Sequence, residues 1–237
     1  MTVNAPRSSP YLRCDHERPR TRPKVHGDWL GNVIAAGSDY TGWFRSPAMW
    51  PVLEGYIARH FASVTVWSGA CATGEEAYSI AMMLTELTVD GTVLASDVSE
   101  HSVLHALRGA YDASLVERDV ALGRLSRRRV SRWMYRDGDY YRVAPQIRER
   151  VFYSVADLGT VVPPVCDLAF VRNAWRHLPI DRQQHLADEL REALASPDAR
   201  LVIAGADLFT ATLRDSTPPA LAQAFVEAEH PLIWKLR

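Results

Sequence analysis

Apolar positions along this chain alternate between two rhythms. Trp50, Leu53, Ile57 and Phe61 recur every three or four residues behind Ser46-Pro47. That spacing predicts an amphipathic helix to about residue 61, with Ser46 as N-cap and proline at the first helical position. Val64-Thr65-Val66-Trp67 is instead a continuous β-branched and aromatic run, which predicts a buried strand. After a small-residue turn over 68–76, Tyr78, Ile80, Ala81, Met82 and Leu84 return to helical spacing. A second strand is expected over 92–96, ending at Asp97, and then a helix from about residue 100 to 108. The arginine-rich stretch from Leu115 to Met134 predicts one long helix, Asp137-Gly138-Asp139 a turn, and 140–143 a short strand. Further strands are expected at 150–155, 167–172 and 200–205, with a helix at about 181–195 between the last two. The tail, 223–237, reads as two strands broken near His230-Pro231. Residues 1–28 carry four spaced prolines and few apolar residues, so they predict a loose arm, and 29–37 a short helix.

Short apolar strands alternating with helices argue for an α/β fold with a mostly parallel sheet. Ligands bind such sheets at the carboxyl ends of the strands, so strand-end residues carry the most weight. The 237 residues suit one large domain or a domain with a small appendage. Hydrophobic residues are 47% and charged residues 23%, which excludes a disordered chain, and a net charge of −1 argues against a globally basic nucleic-acid binder. The charge is uneven: 1–38 and 108–150 are net basic, 39–107 and 151–237 net acidic. No apolar run approaches the roughly 18 residues of a membrane span, and the start has no secretory pattern. Cys14, Cys71 and Cys166 are odd in number and far apart, so neither a disulfide framework nor a structural zinc is expected, and a cytoplasmic location fits.

The best candidate for chemistry is the first strand end. Gly69, Ala70, Ala72 and Gly74 let a backbone approach a ligand closely, although a plain βα turn has the same composition. The pattern is not GxGxxG, and Glu75 and Glu76 would repel a pyrophosphate while suiting a cationic or uncharged ligand. Asp97, at the second strand end, is placed either to accept ribose hydroxyls or to cap the next helix. His101 and His105, four apart, lack an evident third metal ligand. Arg124, Arg127, Arg128, Arg129, Arg132 and Arg136 read as a solvated helix face before an acidic-substrate or nucleic-acid patch. Trp175 is open to either a pocket wall or the core.

The run Trp67-Ser68-Gly69-Ala70-Cys71-Ala72-Thr73-Gly74-Glu75-Glu76-Ala77-Tyr78-Ser79-Ile80-Ala81 resembles the signature of the chemotaxis-receptor methyltransferases, the CheR family. These enzymes use S-adenosylmethionine to form methyl esters on receptor glutamate side chains. Further segments agree in order. Thr41-Gly42-Trp43-Phe44-Arg45 is similar to the family's Thr-x-Phe-Phe-Arg, and Ala95-Ser96-Asp97-Val98-Ser99 to its Ser/Thr-Asp-Ile-Asp. Arg108-Gly109-Ala110-Tyr111 is similar to its Gly-x-Tyr, and Phe170-Val171-Arg172-Asn173 to its Phe-Cys-Arg-Asn. The resemblance covers about residues 39–237. It implies a class I methyltransferase domain: a Rossmann-like, seven-stranded mixed sheet flanked by helices, behind an arm of 38 residues and with a small insertion at about 112–150.

On that resemblance Thr41 and Arg45 reach the methionine end of the cofactor, Gly69 and Ala70 form its backbone floor, and Glu75 or Glu76 lies nearby. Asp97 takes the ribose, Asp157 and Leu158 frame the adenine, and Asn173 and Ala174 complete the wall beside the methyl group. Two departures matter. His177 stands where the family has a tyrosine. It suits a general base for a hydroxyl, amine or thiol, a substrate-orienting group, or a passive wall, and we take it with Arg45 as the catalytic candidates. The family's Gly-His-Ser-Glu is here Gly205-Ala206-Asp207. Only 38 residues precede the shared region, so little of the receptor-docking domain is expected. The sequence therefore favours methylation of a small-molecule or carrier-bound acceptor, with no nucleic acid or membrane as partner. Receptor-type methylation of a protein carboxylate is the first alternative. Another use of the cofactor, or cofactor binding without catalysis, is the second.

Overall fold

A computed structural model describes residues 41–208 and 217–237; the arm, and the short helix expected at 29–37, lie outside the described residues. The first described elements are α1 (Met49–His60) and β1 (Ser63–Gly69), followed by α2 (Glu75–Glu86), β2 (Asp90–Asp97) and α3 (Glu100–Arg108). A middle section holds β3 (Ala110–Asp112), α4 (Ala113–Ala121), α5 (Arg127–Trp133), β4 (Met134–Asp137), β5 (Tyr140–Val143) and α6 (Pro145–Arg148). Then come β6 (Val151–Val155), β7 (Leu168–Val171), a single 3-10 turn (Trp175–His177), α7 (Ile180–Ala193) and β8 (Arg200–Val202). The last elements are α8 (Gly205–Leu208), α9 (Pro219–Ala224), β9 (Phe225–His230) and β10 (Ile233–Leu236).

The main sheet has seven strands in the order β6-β2-β1-β7-β8-β10-β9. β6, β2, β1, β7 and β8 pair in parallel, and β10 runs antiparallel between β8 and β9. The order reverses at β1 and β7. That crevice is where an α/β sheet exposes room for a ligand beyond its strand ends. β1 is buried from Val66 to Gly69 and β7 throughout, as expected of central strands covered by helices on both faces. A second, antiparallel sheet, β3-β5-β4, begins at Ala110, just ahead of the stretch 112–150 read as an insertion, and its other two strands lie inside that stretch.

Three expectations from the pattern need correction. Residues 115–134 are not one helix. The chain breaks after α4, where Gly123 takes φ 69° and Ser126 starts α5 by accepting a hydrogen bond from Arg129 N. Ser46 does not cap α1: it has φ 57°, and its hydroxyl accepts from Arg172 Nη2 at 2.9 Å. The strand near 200 ends at Val202, because Gly205 already opens a helix.

The arginine cluster is mostly exposed, with Arg127, Arg128, Arg132 and Arg136 on the surface and Arg124 and Arg129 partly covered, and it pairs locally. Arg129 reaches Glu54 at 2.9 Å and Glu86 at 2.7 Å, Arg127 pairs with Glu117 and Arg124 with Asp119. Burial pushes the Glu86 carboxyl up, but hydrogen bonds from Arg129 and Trp133 outweigh it and hold the group below its ordinary value. Such a carboxylate stabilises the fold above its unfolded pKa of about 4.3 and loses that stabilisation as pH falls through the lower, folded value. Glu86→Gln is expected to lower stability at neutral pH by about 1.5–3 kcal/mol. Urea titrations over pH should also show the variant losing less than the natural chain as pH drops below about 4.3.

Candidate functional site

The loop between β1 and α2 is built from backbone conformations that side chains rarely adopt. Ala70 (φ 58°), Ala72 (φ 48°) and Gly74 (φ 94°) alternate in the left-handed region. The loop is tied to the neighbouring strand by Cys71 N donating to Ser96 O at 2.9 Å and Ala72 N donating to Asp97 Oδ2 at 2.8 Å. A Cβ on Gly69 would lie 2.8 Å from the Trp67 ring and 3.0 Å from Leu158 Cδ1, so this floor excludes side chains. Burial, and then the charges of Asp97 and Glu76, push the Cys71 thiol well up, which removes it as a nucleophile near neutral pH.

The segment before α1 crosses this loop. Thr41 Oγ1 donates to Glu75 Oε2 at 2.9 Å, and Thr73 Oγ1 donates to the same oxygen at 2.7 Å. Burial raises the Glu75 carboxyl, and these hydroxyls oppose the shift. Trp43 N donates to Asp119 Oδ2 at 2.9 Å and Phe44 N to Ser79 Oγ at 3.1 Å. Arg45 therefore sits between two left-handed residues, Phe44 (φ 43°) and Ser46 (φ 57°), in a tightly held stretch.

From the end of β7, Arg172 locks the arrangement. It is 6% exposed. Its Nη1 pairs with Glu76 Oε2 at 3.2 Å, and its Nη2 donates to Arg45 O at 3.1 Å. Glu76 Oε1 accepts from Ser68 Oγ at 2.9 Å. Three segments thus converge on one cleft, through Thr41, Gly42 and Arg45, then 70–72, then Glu76 with Arg172. Burial and the neighbouring Arg172 lower the Arg45 guanidinium from its ordinary value, although an arginine stays protonated.

The remaining sequence candidates lie at or after the ends of β2, β6 and β7. Asp97 serves the structure on both oxygens, accepting from Ala72 N and from Ser99 N at 2.9 Å, while Ser99 itself caps α3. Each oxygen keeps a second lone pair for a hydroxyl. Leu158 packs beside Gly69. Asp157 is exposed, and its Oδ1 accepts from Gly159 N at 2.8 Å to make the turn. Asn173 has φ 58° and donates its N–H to Asp207 Oδ2 at 2.6 Å, and Ala174 starts the 3-10 turn. His177 is exposed, its Nε2 accepting from Arg176 Nε at 3.3 Å, and it is not among the cleft-lining residues. Trp175 is fully buried in the core.

Arg172, Asp119 and Asp207 were not picked out by residue type. Arg172 stood in a quoted motif and Asp207 in a departure from one, whereas Asp119 lies on an amphipathic helix with no local signal. Among the described residues no group of three His, Cys, Asp or Glu side chains could hold a metal, so His101 and His105 form no such site there. Also among the described residues, no helix is long and apolar enough to cross a membrane.

The chain is 27% identical to a chemotaxis protein methyltransferase of Escherichia coli over 83% of its own length and 72% of that protein's. It is 28% identical to one from Salmonella typhimurium, over 79% of this chain and 67% of the other. A TehB-like SAM-dependent methyltransferase from Corynebacterium glutamicum superposes with TM-score 0.39 at 15% identity, covering 73% of this chain and 67% of that one. The class I fold assignment rests on strand order and family rather than on that superposition. S-adenosylmethionine fits what the residues offer: a side-chain-free floor at Gly69 and a two-point carboxylate at Asp97. The family model for the CheR methyltransferase SAM-binding domain matches residues 39–219, and the chain belongs to this family of S-adenosylmethionine-dependent methyltransferases.

Proposed function

We propose that this methyltransferase esterifies a protein side-chain carboxylate, as the name of its chemotaxis relatives suggests. The carrying observation is the chemistry of the cleft: Arg45 lines it as a cation, while the buried Arg172 and Glu76 offset each other and are bonded to Arg45 O and Ser68 Oγ. A glutamate acceptor is already ionised near neutrality and needs no base, whereas a hydroxyl or amine acceptor does. The small-molecule acceptor favoured by the sequence leaned partly on His177 as that base. The exposed His177, hydrogen-bonded to Arg176, gives no support to that role.

When bound, S-adenosylmethionine supplies an electrophilic methyl group. The chain's own part is to hold and to exclude. Asp97 receives the ribose hydroxyls, Leu158 with Asp157 frames the adenine, and Thr41 with Glu75 closes over the methionine end. Asn173 and Ala174 form the wall beside the reacting centre, and Arg45 draws in the acceptor carboxylate. Positioning and water exclusion then contribute most of the rate.

The full chain, given methyl-labelled S-adenosylmethionine, is offered a chemoreceptor cytoplasmic fragment beside a panel of small hydroxyl, amine and thiol acceptors. Label on the receptor fragment supports the proposal; label confined to the small acceptors overturns it. His177→Ala is expected to keep kcat/KM within about threefold.

A further inference from the structure

One buried carboxylate ties the insertion to the cleft. Asp119 lies on α4, is 2% exposed, and accepts from Trp43 N at 2.9 Å through Oδ2. Its Oδ1 pairs with Arg124 Nη1 at 3.4 Å. A Cβ on Gly42 would lie only 3.0 Å from the same Oδ2. Thr41, Gly42 and Arg45 all line the cleft, so this contact is made inside the segment that forms it.

That segment is held against strain. Phe44 (φ 43°) and Ser46 (φ 57°) are left-handed without being glycine, and such residues persist only where the surroundings over-determine them. Downstream, Arg172 Nη2 and Trp50 Nε1 both donate to Arg45 O. Upstream, Ser79 Oγ accepts from Phe44 N at 3.1 Å and Asp119 from Trp43 N. The Trp43 ring also meets Tyr111 edge-on at 5.0 Å, and the Arg129 guanidinium lies 3.9 Å over the Phe44 ring. Of the two upstream hydrogen bonds, the one to Asp119 is assisted by charge, and such bonds are roughly twice as strong as neutral ones. The rotamers open to Arg45 depend on its φ and ψ, and these are set only when the backbone is fixed on both sides of the residue.

We propose that Asp119 is a positioning residue for the methyl transfer: by holding the Trp43 amide, it sets the backbone from which Arg45 meets the acceptor. This rests on the reading of Arg45 as the group that draws in the acceptor carboxylate. Asp119 touches neither acceptor nor cofactor in this role and acts through Arg45 alone.

A double-mutant cycle on the full chain tests it, with kcat/KM for the chemoreceptor cytoplasmic fragment measured at saturating S-adenosylmethionine. Asp119→Ala is expected to lower kcat/KM about tenfold, mainly through KM, but less than about twofold where Arg45 is already alanine. Asp119→Asn, whose side-chain oxygen still accepts from Trp43 N, should recover most of the loss. Hydrogen exchange on the same preparations should show the Trp43 amide exchanging faster in Asp119→Ala while the β1 amides keep their protection. Equal losses in both backgrounds, or an unchanged kcat/KM in Asp119→Ala beside a loss in Arg45→Ala, overturn the proposal. Loss of protection that extends to β1 does the same, and leaves Asp119 a brace of the whole fold. An Arg45→Ala variant as active as the natural chain sinks the acceptor role of Arg45 itself, and the proposal with it.

Discussion

Gly74→Ala is expected to lower stability by about 2–4 kcal/mol and to remove measurable S-adenosylmethionine binding. Gly74 has φ 94°, where an L side chain is strained before any contact is considered. A Cβ there would lie 2.7 Å from Ala106 Cβ, 2.8 Å from Tyr153 Oη and 3.1 Å from Tyr111 Oη. None of these can step aside. Ala106 sits in the buried face of α3, its carbonyl accepts from Tyr78 Oη at 2.8 Å, and Tyr111 Oη donates to Thr73 O at 2.7 Å. The strain is passed straight to the 70–74 loop that floors the cleft. Gly123→Ala is the control: its φ is 69°, but a Cβ there meets nothing within 4 Å. It should cost about 1 kcal/mol, the backbone part alone. Urea titration of both variants separates clash from conformation, and equal losses would contradict a steric role for the wall around Gly74.

Arg45→Ala is expected to lower kcat/KM for the protein acceptor by about ten- to a hundredfold, while the S-adenosylmethionine Kd moves by less than about threefold. A charge-assisted hydrogen bond to a carboxylate contributes about 1.5–3 kcal/mol, and loss of the half-exposed cation of the cleft carries that whole amount. The fold should survive, because the contacts that hold this stretch run to Arg45 O, which Trp50 Nε1 reaches at 2.9 Å and Arg172 Nη2 at 3.1 Å. Arg45→Lys should recover charge but not the planar two-point grip, and so only part of the rate. Stopped-time methylation assays with calorimetry on the same preparations check both halves. If cofactor affinity fell in step with kcat/KM, Arg45 would belong to the cofactor rather than the acceptor.

The core of the fold was legible because its strands announce themselves. Val64–Trp67 and 92–96 are short runs of β-branched, aromatic and small residues without a charge, and buried parallel strands have no polar face to confuse the signal. The break at 122–126 was not, since arginines tolerate helix and loop alike and only Gly123 marked it. Within the site, glycines and motif acids were readable as types: Gly69, Glu75 and Asp97 all meet at the strand ends. What escaped were partners joined by long-range folding. Nothing in the sequence links Trp43 to Asp119, 76 residues away, or Asn173 to Asp207. Ser46 was misread because a serine before proline looks like a cap until Arg172 is folded against it. His177 was weighted by its chemistry, and only burial tells a poised imidazole from a solvated one.

The fate of the transferred methyl group in mild alkali tests the proposed chemistry most directly. After reaction of the full chain with labelled S-adenosylmethionine and a chemoreceptor cytoplasmic fragment, brief base treatment should release the label as methanol and leave the fragment unlabelled, because a carboxyl methyl ester is saponified. Label that stays on the fragment through base, as a methyl group on nitrogen, sulfur or an ether oxygen would, contradicts a carboxylate acceptor and the role of the cleft in binding one.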